Sequence, residues 1–427
     1  MKKKFLFLSA LVAAKTAFIG CSSDENLAEV PVVVEEDTPA VDTPKGTPFS
    51  VVVNNEDGTT RATLLDGSSL GTFKLYGIHP DNEVGTWIDG NVFKLSSTWE
   101  PYDTDGSAKV TGLTWPTGDA AQTATQFYAV SDNNAAGITI GTSTGTSAIT
   151  ENNLASGNFK YKFQVDETSH SLPIVDSPSG EDDYMSVNNV VNFSKQSDLL
   201  VASTSQTEGT NGQLSLQFRH ALASLAIRAR FTESEDGEDT GVPANSTFTI
   251  YWIRIHGLKG SGTFAFPETD DYNATTHRWG TSPWSAPSSD VIYEVDFTSS
   301  PIVITSQAKG SSEALIYTPL VSHTEMMVIP QTFTPWAGYD ANAEQEKSTP
   351  ASGCYIEIDG KWTYVNNKGK TQTVMRRNAT VGTCFLPLKI TNNELLIGVK
   401  HTITLNLNLV MYGNGALINS ASEGAGS

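Results

Sequence analysis

Short runs of alternating apolar and polar residues dominate the chain and predict β-strands. In the first half such runs lie at Phe49–Val53, Phe73–Ile78 and Phe127–Val130. Further strands are predicted in the second half at Thr247–His256, Gly262–Phe266, Ile292–Phe297, Ile302–Ser306, Met326–Ile329, Tyr355–Ile358, Phe385–Ile390 and Thr402–Leu409. Because no long helical pattern interrupts these runs, the sequence predicts an all-β protein.

The phase of this alternation changes once, near the middle of the chain. Leu214, Leu216 and Phe218 share one parity, and the apolar residues from Leu225 to Phe231 take the other. A shift of one residue moves every side chain to the opposite face of a sheet. We therefore expect a bulge or a short turn at Ala221–Ser224.

A polar stretch just before this change is the best candidate for a domain boundary. It covers Thr204–Gly212 and carries no large apolar side chain. We therefore predict a first β domain at residues 48–208 and a second at residues 209–427. Three tryptophans of the first half are interpreted as core residues: Trp87, Trp99 and Trp115.

The N-terminus carries an export signal. Lys2–Lys4 precede the apolar run Phe5–Ala14, and Gly20 stands directly before Cys21. This pattern predicts a signal peptide at residues 1–20, and it resembles the lipobox of bacterial lipoproteins, in which the cysteine is lipidated and becomes the new N-terminus. The run is far shorter than the roughly 20 residues of a membrane-spanning helix. Export without lipidation is the alternative.

Residues 21–47 are predicted to be a flexible acidic tether. Acidic residues and prolines alternate there, and no basic residue appears between Cys21 and Lys45. Such a segment cannot bury enough apolar surface to offset its ordering entropy. The formal net charge of the whole chain is −20, and residues 1–20 hold four Lys and no acid, so their removal gives −20 − 4 = −24. A surface this acidic disfavours nucleic acid and anionic lipid head groups, which leaves the lipid anchor as the expected membrane contact.

Catalytic and cofactor motifs are weak. Two GxSxG matches lie at Gly67–Gly71 and Gly141–Gly145, and a nucleophile elbow requires a strand before and a helix after the motif. Gly141 follows the strand-like run Ile138–Ile140, but no helix begins after Gly145, so both matches are interpreted as chance. Asp103–Gly106 is interpreted as a turn, because the glycine comes too early for a calcium loop and the terminal glutamate is missing. The seven histidines are scattered. We therefore expect no catalytic residues, no bound metal and no cofactor, and hence no enzyme.

Two cysteines remain in the mature chain besides Cys21. Cys354 and Cys384 stand beside apolar, strand-like runs. In an exported protein they either form one disulfide, which would contribute about 3 kcal/mol, or remain two separate buried thiols. The sequence leaves both alternatives open.

Several segments together resemble the fimbrillins of Bacteroidetes-type bacteria, the type V pilins, and in particular the Mfa-like group. The matching segments are the lipobox at Cys21, Thr59–Thr63, the Phe-x-His-Ala-Leu motif at Phe218–Leu225, the Pro-Gln element at Ile329–Thr332, Leu386–Leu388 and His401–Leu405. Their order agrees over nearly the whole mature chain. Each segment alone is a weak signal.

The resemblance implies two β-sandwich-like (transthyretin-like) domains in tandem and a place in surface fimbriae. Family members are exported as lipoproteins to the outer membrane and cut at an arginine by a surface protease. Here Arg61, followed by Ala62, matches the cut site, and Phe49–Val53 matches the strand that cutting frees. The implied partners are other fimbrial subunits, which supply a strand to the vacated groove, and the implied role is in adhesion. An ordinary surface arginine is the alternative for Arg61.

A second functional hypothesis is a surface glycan-binding lipoprotein that does not polymerise. It would use tryptophans of the second half as a stacking platform, because these lie in stretches rich in Pro, Gly and Ser, where binding residues are common. These tryptophans are Trp279, Trp284 and Trp336.

Lipid anchoring through Cys21 has a direct test. Replacing Cys21 by alanine removes the only thiol at the end of the signal peptide, so Cys21→Ala should leave the membrane fraction or fail to mature. Membrane fractionation and labelling with an alkyne-palmitate probe measure this. Unchanged fractionation together with unlabelled parent protein would contradict the anchor.

Overall fold

The computed structural model of the chain is built from β-strands. It describes residues 46–54, 70–131 except 82, 139–140, 148–149, 158–163, 165–166, 170–174, 183–191, 199–231, 242–267, 272–273, 279, 282–307, 318–319, 326–338, 352–375, 383–407 and 422–424. All of them belong to one unit spanning Pro44–Ser427. Within these ranges no helix reaches seven residues, and none is long and apolar enough to cross a membrane. The predicted all-β fold class is confirmed.

Fifteen strands are described up to His220. In chain order, β1–β15 are Ser50–Asn54, Thr72–Ile78, Thr86–Leu95, Trp99–Tyr102, Thr125–Ser131, Thr139–Ile140, Ala148–Ile149, Asn158–Lys162, Val165–Asp166, His170–Ile174, Asp183–Val187, Val190–Val191, Leu200–Gln206, Gln213–Gln217 and Arg219–His220. Eight of them form the first sheet, in the order β14-β1-β4-β3-β2-β5-β13-β15. Its pairs are antiparallel except β1–β14, which is parallel.

The remaining described strands follow the crossing at Ala221–Leu222. In chain order, β16–β30 are Ala223–Phe231, Ser246–His256, Lys259–Ala265, Trp284–Asp290, Tyr293–Asp296, Ile302–Thr305, Thr318–Pro319, Met326–Val328, Gln331–Thr332, Tyr355–Val365, Thr371–Met375, Thr383–Pro387, Glu394–Leu395, Lys400–Leu407 and Ser422–Gly424. One sheet is centred on β17 and β25 and another on β16 and β29. Short 3₁₀ turns occur at Gly118–Gln122, Thr210–Gly212 and Thr391–Asn393.

Two clusters of buried side chains pack against the sheets. The first core collects inward residues of the first sheet: Phe49, Val51, Leu70, Phe73, Leu75, Ile88, Phe93, Trp99, Trp115, Phe127, Ala129, Leu200, Ala202, Leu214, Leu216 and Phe218. The second, larger core is built on β16, β17, β25 and β29. The opposite face of the first sheet also contributes to the second core, where the Tyr128 and Phe266 rings lie 5.0 Å apart. The interpretation of Trp99 and Trp115 as core residues is confirmed, and Trp87 packs against the same cluster.

The change of parity in the sequence marks the passage from one core to the other. Leu214, Leu216 and Phe218 belong to the first core, whereas Ala221, Leu222 and the inward residues of β16 belong to the second. The strands break at the expected place, because β15 ends at His220 and β16 begins at Ala223. The parity of the apolar positions changes there because the chain leaves one sheet and joins another.

The strands do not divide at the polar stretch Thr204–Gly212. Its first three residues lie in β13, and β14 and β15 still belong to the first sheet. In addition β8, from the first half, pairs with β18, from the second. Sheet membership thus changes after His220, while the division into domains at residues 48–208 and 209–427 stays a prediction.

Strand β25 is longer than its sequence pattern predicted. The predicted strand ended at Ile358, but β25 continues to Val365 through Gly360. This glycine is required by close packing, because a Cβ would lie 2.8 Å from the Phe248 ring. Glycine usually argues against a continuous strand, but here its lack of a side chain lets β25 pass close to the Phe248 ring on β17.

The Pro-Gln element has a structural role. The side-chain amide of the buried Gln331 accepts a hydrogen bond from the Lys259 backbone N–H at 3.0 Å. Its Nε2 donates to the carbonyl oxygens of Lys259 at 3.1 Å and Ile329 at 3.0 Å. The Gln331 side chain therefore satisfies backbone N–H and C=O groups at the start of β18 and just before β24.

Gln331→Met should destabilise the protein because it leaves the Lys259 N–H and two carbonyl groups without these partners. We expect a loss of about 1–3 kcal/mol in the free energy of unfolding. Urea unfolding measures it, and Thr332→Ala, at the exposed neighbouring position, is the matched control with a change within about 0.5 kcal/mol. Equal effects of the two substitutions would contradict the role of the amide.

Candidate functional site

The first strand lies inside its sheet rather than at an edge. All five residues of β1 pair in parallel with β14, from Ser50 with Gln213 to Asn54 with Gln217. On its other side β1 touches β4 at a single position, Val51 with Trp99. Thus β1 is the strand that links β14 to the rest of the first sheet.

Strand β14 depends on β1 for its backbone pairing. Among the described strands, β1 is its ladder partner. A further contact comes from the Gln206 side chain on β13, whose Nε2 donates to the Gln213 carbonyl at 2.7 Å and whose Oε1 accepts from the Ser215 N–H at 3.2 Å. Loss of β1 would remove the ladder and leave β14 held by side-chain contacts such as these and by its buried Leu214 and Leu216.

The residues before β1 are held by a second segment of the chain. The Phe49 N–H donates to the Leu113 carbonyl at 2.9 Å, and the Trp115 N–H donates to the Thr47 carbonyl at 3.0 Å. Gly212 closes this end with φ of +70°, and a Cβ there would lie 2.1 Å from the Pro48 carbonyl oxygen. We call the space that residues 46–54 fill, between β14 on one side and β4 and residues 113–115 on the other, the β1 slot.

Phe49 fills the most aromatic part of the β1 slot. Its ring centroid lies 5.3 Å from Trp87, 6.2 Å from Phe93, 5.3 Å from Trp115 and 6.0 Å from Phe127. We call these four rings the aromatic cage. Two residues later, Val51 is also buried, whereas the next residue, Val52, is 39% exposed. This segment therefore directs Phe49 and Val51 inward and Val52 outward.

The parallel strand pair of the β1 slot carries no charge. Neither β1 nor β14 contains an ionisable side chain. The polar contacts at its ends are neutral as well: Asn54 Nδ2 donates to Ser215 Oγ at 2.6 Å, and Trp115 Nε1 donates to the Gly212 carbonyl at 2.8 Å. Retention of β1 thus rests on apolar burial and backbone pairing rather than on charge.

The predicted processing residues fall outside this geometry. Cys21, Arg61 and Ala62 lie outside the described residues, and so does the whole Gly141–Gly145 segment. The predicted turn at Asp103–Gly106 is present, and the Asp103 carboxylate accepts hydrogen bonds from the Ser107 N–H and hydroxyl. Its oxygens therefore serve the turn itself.

The two cysteines lie apart in the structure, which favours separate thiols, while their pairing stays a prediction. Cys354 is a free, buried thiol, and burial raises its pKa to about 12. The register pairs Ile358 of β25 with Cys384 of β27, so Cys354 lies four residues along from the position opposite Cys384. At about 3.3 Å per residue this is far beyond the roughly 7 Å between Cα atoms that a disulfide spans. In this register Cys354 and Cys384 are not opposite each other, so the register places no disulfide between β27 and the residue before β25.

The tryptophans proposed as a glycan platform are mostly core residues. Trp279 and Trp284 are 6% and 7% exposed, and both rings pack edge-on against Phe264. Trp284 Nε1 also donates to the Ala221 carbonyl at 2.6 Å, and Trp336 is half-buried beside Tyr355. A cavity of about 470 Å³ is lined by Trp279 and Trp284 together with Pro330 and Leu395, but both rings are more than nine-tenths buried. An open stacking face is therefore not present at Trp279 or Trp284.

The sequence comparison decides the family. A model of the fimbrillin-like family matches residues 114–420, which is more than half of the 427-residue chain. The chain belongs to this family. Membership makes it a fimbrial protein of the cell surface, as its Phe-x-His-Ala-Leu and Pro-Gln segments indicated. The matched range of the fimbrillin-like chain includes β14 but begins after β1, so the slot strand itself lies outside it.

Solved structures similar to the fimbrillin-like chain include proteins from Bacteroides species. A fimbrial protein from Bacteroides vulgatus is 14% identical, with 84% of this chain and 94% of that chain covered and a TM-score of 0.46. A putative cell adhesion protein from Bacteroides ovatus is 11% identical, with 87% and 99% covered and a TM-score of 0.39. Likenesses this distant carry no functional argument. No curated protein matches the chain.

Sequence reasoning located β1 but missed what holds it. The strand was predicted from Phe49–Val53, while its parallel partner β14 and the cage residues Trp87 and Trp115 were not connected with it. These contacts join residues from 38 apart (Phe49 and Trp87) to 163 apart (Ser50 and Gln213), and alternation within a strand does not report its partner. The one available signal was the density of aromatic residues in the first half.

Phe49→Ala in the intact chain should cost about 3–5 kcal/mol of unfolding free energy, because it empties the aromatic cage. The matched control is Val52→Ala on the same strand, whose side chain faces outward and whose loss should cost less than about 1 kcal/mol. Urea unfolding followed by tryptophan fluorescence measures both. Similar losses for the two variants would show that the cage does not hold the strand.

Proposed function

We propose that this chain is a subunit of surface fimbriae, in the stalk or at the tip, that assembles by exchange of its first strand. It is exported as a lipoprotein anchored through Cys21, cut after Arg61, and joined to its neighbour when a strand of another subunit fills the vacated β1 slot. The assembled fimbria serves adhesion. The observation that carries the proposal is the insertion of β1 between β14 and β4, with Phe49 in the aromatic cage.

Strand exchange needs a strand that can leave without dismantling the fold. Residue 61 lies in the chain between β1 and β2, so a cut there ends the covalent link between β1 and the rest of the sheet. After the cut β1 is retained by one parallel ladder, one pairing with β4 and its inward side chains. The second core has no member on β1 and would keep its packing.

The proposed anchor and the exchanged strand lie on the same fragment. A cut after Arg61 leaves Cys21 and β1 together at residues 1–61. Departure of β1 would therefore also detach the body of the subunit from its lipid. One event would thus both free the subunit from the membrane and open the slot for a neighbour.

An open slot favours refilling on physical grounds. Burial of a phenylalanine or valine side chain contributes about 1.5–3 kcal/mol each, and Phe49, directly before β1, and Val51, within it, are both buried. Without β1, the Trp115 and Phe127 rings face water and β14 exposes unpaired N–H and C=O groups. An extended strand from another subunit restores both kinds of contact at once.

A glycan-binding lipoprotein that does not polymerise is the alternative function. The buried state of Trp279 and Trp284 gives it little support. A glycan array probed with monomeric protein tests it separately, since polymerisation and sugar binding are independent readouts.

Arg61→Ala should remain monomeric under an arginine-specific protease that converts the parent chain into SDS-resistant oligomers. Gel electrophoresis and electron microscopy of the treated proteins measure this. Arg61→Lys is the matched control: it should resist the arginine-specific enzyme and polymerise after a lysine-specific one, since the position of the cut matters and not the residue. The uncut parent should stay monomeric.

Two results would contradict strand exchange. One is polymerisation of Arg61→Ala to the same extent as the parent under the same protease. The other is a parent chain that is cut after Arg61, loses residues 1–61 and stays a stable monomer at high concentration.

A further inference from the structure

The walls of the aromatic cage come from parts of the chain other than β1. Trp87 and Phe93 lie on β3, Phe127 lies on β5, and Trp115 precedes the 3₁₀ turn at Gly118–Gln122. Three of the rings also contact one another: the Trp87–Trp115, Trp87–Phe127 and Trp115–Phe127 centroids are 5.8, 6.0 and 5.6 Å apart. The four rings of the cage therefore belong to the part of the chain that follows the proposed cut, and Phe49 is the side chain that lies between them.

The geometry of the cage suits an aromatic occupant. The Phe49 ring is edge-on to Trp87, with an interplanar angle of 89°, and stacked on Phe127, with an angle of 27°. Edge-to-face and offset arrangements of this kind are the favourable ones for aromatic pairs. A leucine in the same place would lose these ring contacts and leave part of the volume empty, whereas Val51, paired with Leu214 and Trp99, occupies an ordinary aliphatic position.

Besides the positions of Phe49 and Val51, a third position restricts which strand can fill the slot: Gly46, three residues before Phe49. A Cβ on Gly46 would lie 2.9 Å from the Thr114 side chain and 2.9 Å from the Trp115 carbonyl oxygen. Those atoms belong to the same segment that pairs with Thr47 and Phe49. A strand with any larger residue there would have to shift away from the segment that positions Trp115.

We propose that the β1 slot selects its incoming strand by these three positions. The preferred occupant is an extended strand of another subunit with an aromatic side chain where Phe49 lies, a β-branched side chain two residues later and a glycine three residues earlier. This inference rests on the proposed exchange of β1. It adds a sequence preference for the incoming strand, which we call the code, and the contacts of Trp87, Trp115 and Phe127 with the aromatic position contribute most to it.

Synthetic strands test the code on the full chain cut after Arg61. Fluorescent peptides covering residues 45–55 compete with the resident fragment, and bound label and native mass give the apparent affinity. Relative to the parent peptide, we expect about 10-fold weaker binding for Phe49→Leu, at least about 100-fold weaker for Phe49→Ala and about 10-fold weaker for Gly46→Ala. Val52→Ala is the matched control and should bind like the parent, because this side chain faces outward.

A change in the body of the subunit separates aromatic recognition from general apolar binding. Trp87 is half-buried at the rim of the cage and belongs to neither β1 nor β14. In Trp87→Leu protein the preference for the parent peptide over the Phe49→Leu peptide should fall towards about 2-fold, since the edge-on ring pair is gone.

The outcomes test the sequence preference of the slot separately from the proposed exchange of β1. If the parent peptide and all its variants displace the resident strand equally well, exchange stands and the code is overturned. An unchanged preference in the Trp87→Leu protein would likewise overturn the role of the cage. If no peptide displaces the resident strand even after the cut, both the code and the proposed exchange of β1 are contradicted.

Discussion

The first sheet depends on one inserted strand. β1 gives β14 its ladder partner and brings Phe49 into contact with four aromatic rings of the first core. An edge strand could leave at the cost of its own pairing alone. Because β1 lies between two strands, its departure separates β14 from the sheet and exposes the cage in the same step.

The second core is built to be independent of that step. Its central strands β17 and β25 pair along almost their whole length, and on the face opposite the second core the buried Arg254 lies in register between Glu294 and Glu357. Arg254 Nε is 2.5 Å from Glu294 Oε2, and its guanidinium lies 4.2 Å from the Trp252 ring centroid. A fully buried cation with in-register carboxylates is costly to disturb. The proposed exchange of β1 would therefore leave the packing of the second core in place.

The sequence predicted the elements whose signal is local. Alternation located β1, β2, β5 and β17 within one or two residues, and the change of parity at Ala221–Ser224 marked the crossing between cores. What it could not supply was pairing between distant segments. The parallel register of β1 with β14, the pairing of β8 with β18 and the offset of Cys354 from Cys384 all depend on which strands meet. The same limit explains Trp279 and Trp284: Pro and Ser neighbours indicated a surface loop, yet both rings pack inside.

Hydrogen exchange along β14 tests the central claim most directly. Backbone amides of residues 213–217 are compared with those of β17 in the intact chain and in the chain cut after Arg61 from which residues 1–61 have been removed at low concentration. The account predicts that protection of β14 falls by at least about 100-fold, because its ladder partner is gone, while protection of β17 is unchanged. Equal protection of β14 in the two forms would contradict the dependence of β14 on β1.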